Sequence, residues 1–78
     1  MAKAKEMARE PERYAVIRKG KREESVPAWK YYSIVDLLRD MGCARMLAYD
    51  TAKWAGRAAD GESRDLGDIH LGIERRLI

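Results

Sequence analysis

A chain of 78 residues holds one hydrophobic core, because so short a chain buries only about 60% of the surface its unfolded form exposes; a two-domain enzyme is excluded. Apolar residues make up 46% and charged residues 37%, and with no Phe among the aromatics the interior must be thin and rich in Ala, Leu and Ile. Sixteen Lys and Arg against thirteen Asp and Glu leave a net charge of +3, which assists an anionic partner without demanding one.

Residues 1–12 have good helix propensity but no apolar stripe, and Pro11 ends whatever forms there, so this segment is expected to be a flexible arm ahead of a folded domain at 13–78. Tyr14-Ala15-Val16-Ile17 is short, apolar and partly β-branched, and Glu23-Glu24-Ser25-Val26 follows a turn at Gly20. The pattern predicts a β-hairpin in which Gly20 supplies a positive φ. Pro27 suits the first turn of a helix; Ile34, Leu37, Leu38 and Met41 then recur at helical spacing until Gly42 stops the run.

From Ala44 to Ala59, Leu47, Ala48, Thr51, Ala52, Ala55 and Ala59 fall along one side, predicting a second helix with a small-residue face, closed by Asp60-Gly61. Leu66, Ile69, Ile73 and Leu77 form a stripe behind Asp65, a residue suited to capping, and predict a third helix ending near Arg75 and Arg76. A lone hairpin is marginal in water and must lie on something apolar. The expectation is therefore an α+β domain, an N-terminal β-hairpin packed over a small bundle of three helices.

No segment approaches the roughly 20 apolar residues that cross a bilayer, and residues 1–10 alternate Ala with charges where a signal peptide needs an apolar block. The single Cys43 cannot form an internal disulfide, and no His or second Cys stands at metal-ligand spacing from it. It is expected to be a small buried residue in a cytoplasmic protein without a metal site. No Ser-His-Asp or Cys-His motif occurs, and Glu23 and Glu24 are neighbours in a strand and so point to opposite faces; no catalysis is expected.

Binding chemistry concentrates at Arg18-Lys19-Gly20-Lys21-Arg22, where guanidinium and ammonium donors surround a glycine turn, an arrangement suited to phosphate. Lys30 opens the first helix, where an added cation is unfavourable unless an anion is near. His70, the only histidine, borders the apolar stripe behind Asp65. Trp29, Tyr31, Tyr32, Tyr49 and Trp54 can stack on a base, but a domain without Phe needs them for packing first.

Taken in order, Val16-Ile17-Arg18-Lys19-Gly20-Lys21-Arg22-Glu23, Lys30 at a helix start, and Asp68-Ile69-His70 with Ile73 behind it resemble the ATP-cone. That domain senses nucleotides at the N-terminus of many ribonucleotide reductases and in the repressor of their genes. The resemblance spans Tyr14 to Ile78, with a shorter turn before Gly20 and with Leu66-Gly67 where the family carries a threonine and its neighbour. It implies a hairpin capping a helical bundle, with ATP or dATP between them as an allosteric regulatory ligand rather than a cofactor. On that likeness Val16 lines the base pocket, Arg18 and Lys19 meet phosphate with Lys21 beside them, Glu23 matches the family's glutamate, Lys30 its phosphate-binding lysine and His70 its late histidine.

The expected function is thus a regulatory purine-nucleotide domain. Two alternatives stand beside it. One is a nucleic-acid binder using the same basic tip, with Tyr31, Tyr32 and Trp54 as stacking platforms. The other is a protein-interaction module that keeps the fold without the nucleotide and self-associates through the Ala-rich face of the second helix.

Overall fold

The computed structural model describes residues 12–76; the expected N-terminal arm lies almost wholly outside them. Six elements follow in chain order: β1 (Glu12–Lys19), β2 (Arg22–Pro27), α1 (Tyr31–Asp40), α2 (Arg45–Arg57), β3 (Ser63–Leu66) and β4 (Ile69–Arg76). The strands form one sheet in the order β2-β1-β4-β3, and every neighbouring pair is antiparallel. The class is α+β, as expected.

The first hairpin forms where the alternation predicts it. Lys19 pairs with Arg22 across a two-residue loop, and Gly20 at φ +60° with no positive φ at Lys21 gives the primed turn that matches strand twist. Pro27 closes β2, an edge strand, where its missing N–H costs no ladder bond; the helix begins later, at Tyr31, after Lys30.

The predicted third helix is instead the hairpin β3–β4. Ile69, Leu71 and Ile73 are all buried and alternate with His70, Gly72 and Glu74, a period of two that a helical stripe through Leu66, Ile69 and Ile73 mimics at only some positions. Gly67 at φ +80° begins a second two-residue turn with Asp68, and Gly72 would have weakened a helix by about 1 kcal/mol. Two further bonds, Ile73 N–H to Glu62 O and Gly61 N–H to Ile73 O, both 2.8 Å, extend this pairing. Leu77, the last member of the predicted stripe, lies outside the described residues.

Both helices cover one face of the sheet. Ala15 and Ile17 of β1 and Ile69, Leu71 and Ile73 of β4 meet Ile34, Val35 and Leu38 of α1 and Ala48, Ala52 and Ala55 of α2 in a single core. Cys43 is buried in it, and burial pushes its thiol pKa up. Met41 to Ala44 join the helices through Gly42 at φ +96°. At the far end the carbonyl of Ala28, just ahead of α1, lies 4.0 Å from where a Cβ on Gly56 would sit, so the helices run antiparallel, side by side.

Candidate functional site

Strand alternation sorts the predicted binding residues between two faces. With Ala15, Ile17, Ile69, Leu71 and Ile73 turned to the helices, the open face carries Val16, Arg18, His70 and Glu74, together with Glu23 opposite Arg18. Glu23, Arg18, His70 and Asp65 occupy one row across all four strands. The turn at Gly20 and His70 therefore do meet, with Arg18 directly opposite His70.

This row is neutralised from within. Arg18 donates to Glu23 at 2.8 Å and lies 3.5 Å from Glu74; Arg76 donates to Glu74 at 3.1 Å; His70 Nδ1 is 2.8 Å from Asp65. The bond to Glu23 raises the Arg18 pKa, while those from Arg76 and then Arg18 hold the Glu74 carboxyl below the usual carboxylate range. Val16 is wholly buried, so the floor expected to line a base pocket is closed.

The other three predicted residues stand elsewhere. Lys19 faces the helices, where its Nζ donates to Met41 O at 2.6 Å and lies 3.7 Å from Asp68, fastening β1 to the end of α1. Lys21 is exposed in the turn. Lys30 sits past the opposite end of β2, about 17 Å of strand away from the turn. Arg18, Lys19, Lys21 and Lys30 thus share no single cleft for a triphosphate.

Apart from Arg13 and Lys21, the cations without a carboxylate partner among the described residues belong to the helical layer. In every Lys or Arg ion pair among the described residues the cation comes from a strand: Arg18, Lys19, Arg22, Arg64, Arg75 or Arg76. Two of these draw on helix carboxylates, Arg22 on Asp40 at 2.8 Å and Arg64 on Asp50 at 3.2 Å. Lys30, Arg39, Arg45, Lys53 and Arg57, all exposed, have no carboxylate partner among the described residues. Arg45, Tyr49, Lys53 and Arg57 recur every fourth residue, a ridge along α2 of about 18 Å.

Aromatic rings lie among these cations. Trp29 is 62% and Tyr32 71% exposed. Lys30 Nζ stands 5.4 Å from the Trp29 ring and the Arg45 guanidinium 5.9 Å from that of Tyr49, and Tyr31 bridges Tyr32 and Tyr49 at centroid distances of 4.9 and 5.9 Å. Trp54 is engaged by Arg64 at 5.3 Å. Composition showed the aromatics and the cations. The grouping of Tyr31, Tyr32 and Tyr49 with Lys30 and Arg45 emerges only in the fold.

Among the described residues no three His, Cys, Asp or Glu side chains converge as metal ligands, and no helix is long and apolar enough to cross a membrane. No protein-family model, curated protein or solved structure matches the chain.

Proposed function

We propose that this domain is a non-catalytic binding module that takes up a single-stranded polynucleotide across its helical layer. The observation that carries the reading is the partition of charge: among the described residues every strand cation but Arg13, which is held by two backbone carbonyls, has a carboxylate partner, while Lys30, Arg39, Arg45, Lys53 and Arg57 have none, Lys30 lying beside the exposed Trp29 and Arg45 beside the half-buried Tyr49. Phosphates supply the missing anions, and bases stack on rings or on guanidinium planes. The antiparallel packing of α1 and α2 makes a broad surface rather than a projecting recognition helix, which favours a strand laid across it over insertion into a duplex groove.

Fluorescence anisotropy with a labelled 20-nucleotide single strand tests this. Four phosphate contacts predict an affinity loss of about 50-fold between 50 and 200 mM salt, from a slope of about −0.7 per contact. Replacing Arg45, Lys53 and Arg57 together by Gln, all exposed, is expected to flatten that dependence. Absence of binding at 50 mM salt, or a triple variant with unchanged affinity and slope, refutes the reading.

The purine-nucleotide reading and the ATP-cone resemblance behind it retain one favourable observation, that Val16, Arg18, Glu23 and His70 occupy adjacent rows of one face. It ranks second because Glu23 and Glu74 already pair with Arg18 and Arg76 there and Asp65 holds the His70 ring, and a triphosphate must displace them. Calorimetric titration with ATP and dATP decides it: binding abolished by Arg18→Gln, and insensitive to the α2 substitutions, reverses the ranking.

A further inference from the structure

We propose that the cleft between α1 and α2 is a base-reading subsite selective for guanine in a single strand, an inference that rests on the polynucleotide reading above. Val35, Asp36, Arg39, Arg45 and Tyr49 line a cavity of about 340 Å³, within the range of small-ligand sites. Val35 is 5% exposed and forms an apolar floor, and half-buried Tyr49 offers a ring on which a planar base can stack by displacing the Arg45 guanidinium that lies over it.

Asp36 sets the selectivity. It is exposed, and although two guanidiniums line the same cleft it makes no ion pair among the described residues, whereas the other helix carboxylates, Asp40 and Asp50, each bind an arginine. Arg39 instead donates to Cys43 O at 3.1 Å, and Arg45 lies over Tyr49. The cleft thus presents a carboxylate, an acceptor with no donor of its own. Only guanine offers two adjacent donors on its pairing edge, N1–H and the N2 amino group. Adenine and cytosine each set a donor beside an acceptor, and thymine or uracil flanks its one N–H with carbonyls. Arg39 and Arg45 remain at the rim to meet the phosphates on either side of the bound base.

The test compares ten-nucleotide thymidine strands carrying one central guanine or one central adenine, by anisotropy at 50 mM salt. A bidentate base contact predicts a preference for the guanine strand of roughly 5- to 150-fold. Asp36→Asn, whose amide is both donor and acceptor, is expected to lose that preference while keeping the affinity for the adenine strand, with an unchanged circular dichroism spectrum as evidence of folding. Equal affinity of the wild type for both strands overturns the subsite and leaves the polynucleotide reading standing. A guanine preference that survives Asp36→Asn places the recognition elsewhere and also overturns it. Failure to bind either strand removes both proposals.

Discussion

Replacing Arg13 by Met is expected to destabilise the domain by about 2 kcal/mol. The Arg13 guanidinium reaches from the start of β1 to the end of α2, where one amino group donates to Ala58 O and the other to Gly56 O at 3.1 Å. These carbonyls belong to the last turn of α2 and the residue after it, where a helix has no further amides to offer, and the cation also sits at the negative end of the dipole. A hydrogen bond to a charged group contributes about 1.5–3 kcal/mol and the dipole about 0.3–1 kcal/mol. Because the site is half exposed and water can replace part of this, a value near 2 kcal/mol is the reasonable centre. Met keeps the apolar stem, so little packing is lost. For a chain of this length each kcal/mol lowers Tm by about 6 °C, giving a fall of about 12 °C by circular dichroism. A shift below about 3 °C would show that the clasp between β1 and α2 contributes nothing.

Thr51 is fully buried, and its Oγ1 has no hydrogen-bond partner among the described residues. Thr51→Val keeps the branched shape, removes the unsatisfied hydroxyl and is expected to raise stability by about 1–2 kcal/mol in chemical denaturation; a loss of stability would reveal a partner for that hydroxyl. Glu74 has a native pKa below its unfolded value, because Arg76 and then Arg18 donate to its carboxylate. Its contribution is therefore present above the unfolded value of about 4.3 and lost as pH falls through the lowered native one. Melting curves from pH 6 to 3 are expected to fall less steeply in Glu74→Gln than in the wild type, and parallel curves would exclude the contribution.

The first hairpin and both helices were legible because their signals are local. Gly20 marks the turn, and Ile34, Leu37 and Leu38 keep a helical period that no strand period shares. The ambiguity lay at Leu66, Ile69 and Ile73, whose spacing serves a helix stripe, while Ile69 and Ile73 serve one face of a strand equally well. Leu71, buried on the same face, and the Gly67-Asp68 pair distinguish the two, and both were available in the sequence. The candidate site was less legible. Proximity of Arg18 to His70 depends on β1 pairing with β4, a contact between the ends of the described chain, and separation of Lys30 from the basic turn depends on the length of β2.

That same pairing gives Arg18, Lys19 and Arg22 of the basic turn, conspicuous in the sequence, carboxylate partners within the fold. Antiparallel neighbours bring side chains on adjacent strands to about 5 Å, so Arg18 of β1 finds Glu23 of β2 and Glu74 of β4 as the sheet forms, and Arg76 joins Glu74 from two residues along the same strand. Each exposed pair is worth little to stability, yet together they neutralise the face on which they lie. Helix carboxylates are drawn the same way, Asp40 toward Arg22 and Asp50 toward Arg64. Lys30, Arg39, Arg45, Lys53 and Arg57, at and along α1 and α2, are left without a carboxylate partner among the described residues. Surface potential follows such a local surplus rather than the chain total, and on the polynucleotide reading an anion is expected to approach the helices in preference to the row that contains His70.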